Sequence, residues 1–246
     1  MEIDLWEIWA NMPLLVRGVV VVLTIQALGS IYVLIDRIIL LLLSGSRSRA
    51  FAAEAGDKLA HNEFEAVLEV AKKHDKSHLA SFIEIGVKTF LDRRRDGHDA
   101  QKSAEFAQRA LERKGENLSE NLNRGLSVLA STGSTAPFIG LLGTVLGILN
   151  AFRLIGEEAS GGMSTIGPAI AEALIVTGYG LLVAIPSVLI FNWLSGRIGK
   201  YEGGLANAGS ELVDQLEADG PVTRTASVQA VEREDERAAE MVGAVA

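Results

Sequence analysis

A carboxylate, Glu172, lies inside the apolar run IGPAIAEALIVTGYGLLVAIPSVLIFNWL (Ile166 to Leu194), and a threonine, Thr177, follows five residues later. An ionised carboxylate at mid-membrane costs about 2.5–3.5 kcal/mol on insertion scales, so such groups face a bundle interior or a wet cavity and often mark an ion path. Glu172 stands six residues past Ile166, roughly 9 Å of helix, a depth at which headgroups offer the plainer means of solvation. A second apolar run carries Ser131, Thr132, Ser134, Thr135 and, deeper, Thr144. Hydroxyls there hold water or relay protons, or else bond back to their own helix at i−4.

Other chemistries find less support. The glycines of GLLGTVLG, Gly140, Gly143 and Gly147, include a small-xxx-small pair that lets membrane helices approach closely. A nucleotide loop is excluded, because no GK[ST] follows and the stretch is apolar. Pro137 and Pro186 each remove a backbone donor inside a span and predict kinks. His74 and His78, four apart, could share a helix face as metal ligands do, but no third ligand has a suitable spacing and Asp75-Lys76 reads as a turn; no metal site is assigned. Cysteine is absent, which excludes disulfides and thiolate metal sites. No nucleophile–base pair stands out, so an enzyme is not indicated. A net charge of −8 gives no sign of nucleic-acid binding.

Three segments reach the roughly 20 apolar residues a membrane helix needs: Met12 to Ile35, Leu126 to Ile155, and Ile166 to Leu194. Soluble helices rarely stay apolar on every face for so long. The acids Asp4 and Glu7 precede the first run, where a signal peptide has basic residues, so that run reads as a retained span. The basic residues near the spans, Arg47, Arg49, Lys58, Arg197 and Lys200, put the long middle segment and the tail in the cytoplasm, and the N-terminus and the link GEEASGGMST outside. Arg17 and Arg153 depart from that pattern and can snorkel to the outer interface.

The fold class is therefore all-α. Residues 1–43 form a periplasmic N-terminus and first span, 44–125 a cytoplasmic helical domain, 126–195 spans two and three, 196–216 a cytoplasmic helix extension, and 217–246 an acidic tail with the composition of disorder. Within the cytoplasmic part, FAAEAGDKLAHNEFEAVLEVAKKH reads as one amphipathic helix and HLASFIEIGVKTFLDRRR as another, ended by Asp96-Gly97. From Asp99, an N-cap, an apolar pattern through Phe106, Leu111, Leu118 and Leu122 runs into span two and predicts one unbroken helix. Its part before Gly125 would extend about 40 Å.

The segments TAPFIGLLGTVLGI (Thr135–Ile148) and IGPAIAEALIVTGYGLLVAIPSVLIFN (Ile166–Asn192) resemble the TolQ/ExbB/MotA proton-channel family, and their GLLGT and IAEAL wording is closest to its TolQ/ExbB branch. YVLIDR resembles, more weakly, the cytoplasmic end of that family's first span. The resemblance implies a homopentameric ring of a multi-pass bacterial inner-membrane protein, enclosing a dimer of a single-span TolR/ExbD-like partner that brings an aspartate. It places Glu172 at the family's membrane glutamate and Thr144 and Thr177 at its pore threonines. The ion is expected to be H⁺, though Na⁺ suits the same hydroxyls. Membrane lipid is the other partner, and no cofactor is expected. The implied function is the channel ring of a motor driven by the proton-motive force, energising TonB-type import, Tol–Pal constriction or gliding. A passive membrane scaffold for a cytoplasmic complex is the rival. A substrate transporter is disfavoured by the lack of repeat symmetry and of a discontinuous binding helix.

Overall fold

The computed structural model describes residues 9–10, 12–157 and 163–218. The expected acidic tail beyond Glu217, apart from Ala218, and residues 158–162 of the link between spans two and three lie outside the described residues. The elements are α1 (Leu14–Ala60), α2 (Phe64–Lys73), α3 (His78–Arg95), α4 (Ala100–Asn123), α5 (Leu126–Glu157) and α6 (Met163–Ala218). Three stretches, Leu14–Ala60, Leu126–Leu154 and Ile166–Ala218, are long and apolar enough to cross a membrane. The chain divides into two compact units: Met1–Leu43 with Ser119–Tyr201, and Ser44–Leu118 with Glu202–Ala246.

In the first unit the apolar stretches of α1, α5 and α6 pack through small and β-branched side chains. Val16, Val19 and Leu23 of α1 meet Ala136 of α5 and Val176, Val183 and Ala184 of α6. Further along, Val33 joins Leu129 and Leu194, and Leu122, Leu126 and Ile198 form the next layer. The outer surface is equally apolar, with Leu15, Ile25, Leu28, Phe138, Leu149, Phe152, Leu182 and Leu189 all exposed. A helix group apolar both inside and outside suits lipid surroundings rather than water. Pro137 stands within α5, and Pro168 and Pro186 within α6, without ending either helix.

The unbroken helix expected from Asp99 into span two is not formed: α4 ends at Asn123 and α5 begins at Leu126. Gly125 adopts φ +83, a left-handed conformation that costs a residue with a Cβ about 1–2 kcal/mol. A Cβ there would also come within 3.2 Å of Val33. The last carbonyls of any helix lack intrahelical donors. Here Arg37 of α1 supplies them, its Nη1 donating to Asn121 O and, at 3.3 Å, to Leu122 O. Its Nε donates to Asp36 at 2.9 Å. A guanidinium at a helix C-terminus also meets the favourable end of the macrodipole.

In the second unit α2 and α3 pack with Phe64 edge-on to Phe90, ring centroids 5.6 Å apart. Phe51, Val67 and Val87 are fully buried. Gly86 lets helices close in, since a Cβ there would lie 2.9 Å from Leu212 Cδ2 and 3.0 Å from Leu111 Cδ2. The stretch expected to form one helix from Phe51 is instead divided: α1 continues to Ala60, and α2 starts at Phe64. The chain turns on Asn62, which takes φ +57, a conformation short polar side chains adopt more readily than most. Asp99 caps α4 by accepting from Lys102 N at 2.7 Å. The Asp96-Gly97 stop closes α3, with Gly97 at φ +87.

His74 and His78 do not share a helix face. A turn over His74–Lys76 separates α2 from α3. His74 Nε2 lies 3.1 Å from Glu54 Oε2, and Lys73 Nζ donates to Glu54 Oε1 at 2.9 Å. Those two bonds hold the Glu54 carboxyl below its usual range. Burial pushes the His78 imidazole below its ordinary value, with the Lys114 charge acting the same way.

Candidate functional site

α5 and α6 run antiparallel along a seam where glycines replace side chains. A Cβ on Gly140 would come within 3.2 Å of both Gly180 Cα and Thr177 Cα, and one on Gly147 within 2.6 Å of Ala173 Cβ. Gly143 faces Val176, and Gly133, which the sequence pattern did not single out, faces Val188. Without a hydrophobic drive between helices in lipid, such close backbone approach supplies van der Waals contact instead. At Gly180 the space is closed by the backbone of α5: a Cβ would meet Ala136 O at 2.7 Å and Gly140 Cα at 3.0 Å. No rotamer change relieves a clash with backbone. Gly180→Ala is therefore expected to destabilise the protein by about 1–3 kcal/mol, read as a lower thermal midpoint in mild detergent. Gly178→Ala, on the same helix with open space at its Cβ, should keep the parent's midpoint.

The two threonines are both engaged with backbone. Thr177 Oγ1 donates across the seam to Gly140 O at 2.8 Å. Thr144, buried, donates to Leu141 O of its own helix at 2.7 Å. A hydroxyl has one proton to give and two lone pairs. In this arrangement each threonine can still accept a hydrogen bond, from water or a protonated carboxyl. It can donate to an ionised carboxylate only by releasing its carbonyl.

Glu172 is half-buried and lines a narrow cleft with Pro13, Val16, Gly147, Asn150, Ala169 and Ala173. Neither Thr144 nor Thr177 lines that cleft. The structure thus brings Thr177 to Gly140 and Glu172 to Gly147 at separate points of one seam. The first span adds polar links absent from the sequence reading. Thr24 Oγ1 lies 3.1 Å from Tyr179 Oη, Gln26 Nε2 donates to Thr135 Oγ1 at 3.1 Å, and Ser187 Oγ lies 3.2 Å from Ser30 Oγ. At the start of α1, Arg17 reaches back to Ala10 O at 2.6 Å. A serine or threonine alone in an apolar span gives no sign of which neighbour it will find. Thr24 and Ser187 also make the duller bond, to Val20 O and Val183 O at 2.8 Å each.

A family model described as the MotA/TolQ/ExbB proton channel family matches residues 58–205. The chain belongs to that family. Among its relatives, the biopolymer transport protein ExbB of Pseudomonas putida is 42% identical over 93 residues, 38% of this chain and 28% of that protein. The ExbB of Salmonella typhimurium is 36% identical over 121 residues, covering 49% of this chain and 50% of its own. The Tol-Pal system protein TolQ of Pseudomonas aeruginosa is 31% identical over 211 residues, 80% of this chain and 87% of its own. The chain thus spans half or less of these ExbB proteins and most of the TolQ. Together with three helices long and apolar enough to span, MotA/TolQ/ExbB membership makes it a multi-pass inner-membrane protein.

Proposed function

We propose that this protein is the ring subunit of a proton-driven inner-membrane motor, five copies enclosing a dimer of a single-span TolR/ExbD-like partner. The observation that carries the reading is Glu172: a carboxylate held in a cleft on the α5–α6 seam, in a chain of a proton channel family. Protons move inward near Thr144, Thr177 and Glu172 by way of an acidic group on the partner, which shifts or turns against the ring. Moving one charge through 100 mV releases about 2.3 kcal/mol, so several protons per cycle supply useful work. The basic residues flanking the spans put the N-terminus in the periplasm and the C-terminus in the cytoplasm. The load is an envelope process of the TonB, Tol–Pal or gliding kind.

One observation favours the scaffold alternative: both threonine hydroxyls donate to backbone carbonyls, as purely structural residues do. Reconstitution separates the two readings. The ring co-expressed with its single-span partner should appear as a pentamer with two partner chains in native mass spectrometry. In proteoliposomes under an imposed potential it should take up protons. Monomers or dimers with the partner present would count against the ring, and a pentamer that passes no protons would favour the scaffold.

A further inference from the structure

Glu172 has no hydrogen-bond or charge partner among the described residues. Of the side chains sharing its cleft, Pro13, Val16, Gly147, Ala169 and Ala173 offer no donor or acceptor; Asn150 alone does. Asn150 is half-buried, likewise without a hydrogen bond among the described residues. The two sit beside one of the close approaches of the seam. Gly147, where a Cβ would come within 2.6 Å of Ala173 Cβ, is one turn before Asn150, and Ala173 directly follows Glu172.

We propose that Asn150 is the positioning residue for Glu172, its carboxamide hydrogen-bonding the Glu172 carboxyl, directly or through one water, in both protonation states. A carboxamide carries two N–H donors and one carbonyl acceptor. It donates to the ionised carboxylate and, by turning over, accepts from the protonated acid. A lysine or arginine there would serve the ionised state alone and oppose protonation; an aliphatic residue would serve neither state. A group that takes up and releases a proton without a partner alternates between a satisfied and an unsatisfied form, at a cost in one of them. The carboxamide removes that asymmetry. This inference rests on the reading of Glu172 as part of the proton path.

The test uses full-length protein with its single-span partner in proteoliposomes, read by infrared difference spectroscopy and by proton uptake with a pH-sensitive dye. The carboxyl C=O band of Glu172 is assigned by its disappearance in Glu172→Gln. In Asn150→Leu that band should move to higher wavenumber, as for an acid released from a hydrogen bond. Proton uptake should fall about tenfold, the size expected for losing a hydrogen bond to a charged group. Asn150→Gln, which keeps the carboxamide, should hold the band near its parent position and restore most of the uptake. If Asn150→Leu does not fold, Asn150→Ala is read the same way. A band that stays in place in both aliphatic variants overturns the proposal whatever the uptake does, as does one that moves equally far in Asn150→Gln. If Glu172→Gln takes up protons like the parent while Asn150→Leu still moves the band, the pairing stands and the proton-path reading falls.

Discussion

Glu172→Gln should lower proton uptake by roughly a hundredfold, the low end of what a positioned proton-transfer group contributes, while leaving the ring assembled. Glutamine has nearly the same shape as protonated glutamic acid, and it fills the same narrow cleft beside Gly147, Ala169 and Ala173. It cannot exchange a proton. Native mass spectrometry should therefore give the parent's stoichiometry, and the dye assay a nearly flat trace under an imposed potential. Glu172→Ala makes an informative companion. It removes both the proton and the volume in the cleft, so it should lose assembly as well as flux. Parent-like uptake by Glu172→Gln would sink the assignment of this carboxyl to the path.

Thr177→Val should lose on two counts. The isosteric swap suits an apolar span, but it deletes the 2.8 Å bond from Thr177 Oγ1 to Gly140 O. Interhelical hydrogen bonds of this kind contribute about 0.6 kcal/mol on average, with a maximum near 1.7, so the thermal midpoint should fall slightly. The path also loses a hydroxyl that can accept from water or a protonated carboxyl, and uptake should fall several-fold. Thr177→Ser restores the hydroxyl and should recover both properties. If the valine variant melts lower yet takes up protons like the parent, Thr177 is a structural bond and nothing more. Thr144→Val is the matched case on α5. Its hydroxyl bonds only within its own turn, so any loss there is almost wholly in uptake.

The three spans are legible in the sequence, and Glu172 stands out as a candidate, because membrane length and a lone carboxylate are signals that need no knowledge of neighbours; Thr144 and Thr177 are singled out from the other hydroxyls by family resemblance alone. Gly140, Gly143 and Gly147 stand out without knowledge of neighbours too, as a spacing along one helix. Their counterparts do not. Ala173, Val176, Thr177 and Gly180 differ in size and type, and only the close approach across the seam gives them a common role. Gly133 hides in the polar run STGST, and Asn150 sits close enough to the span end to pass for an interfacial residue. The two helix boundaries that sequence reading misplaces share a cause. A lone glycine such as Gly125 costs an unbroken helix only about 1 kcal/mol, and the HNE stretch at His61–Glu63 contains neither proline nor glycine. In both places the turn is set by tertiary contacts or by a left-handed residue, and pattern alone cannot register either. The histidine pair fails differently. Spacing of four implies one face only inside one helix, and here a turn intervenes.

The grip of α1 on the end of α4 makes the first helix a ruler. Val33 lies against Gly125, and Arg37, one turn further along, holds the carbonyls of Asn121 and Leu122. The two contacts lie on the same side of α1 because four residues nearly complete a turn. Replacing Leu34 or Ile35 by another helix former leaves that spacing alone. Inserting or deleting one residue between Val33 and Arg37 does not: it swings the guanidinium by about 100° around the axis and moves it about 1.5 Å along it. The carbonyls at the end of α4 would then lose their donor while Val33 still pressed on Gly125. This stretch of α1 therefore tolerates changes of letter far better than changes of length.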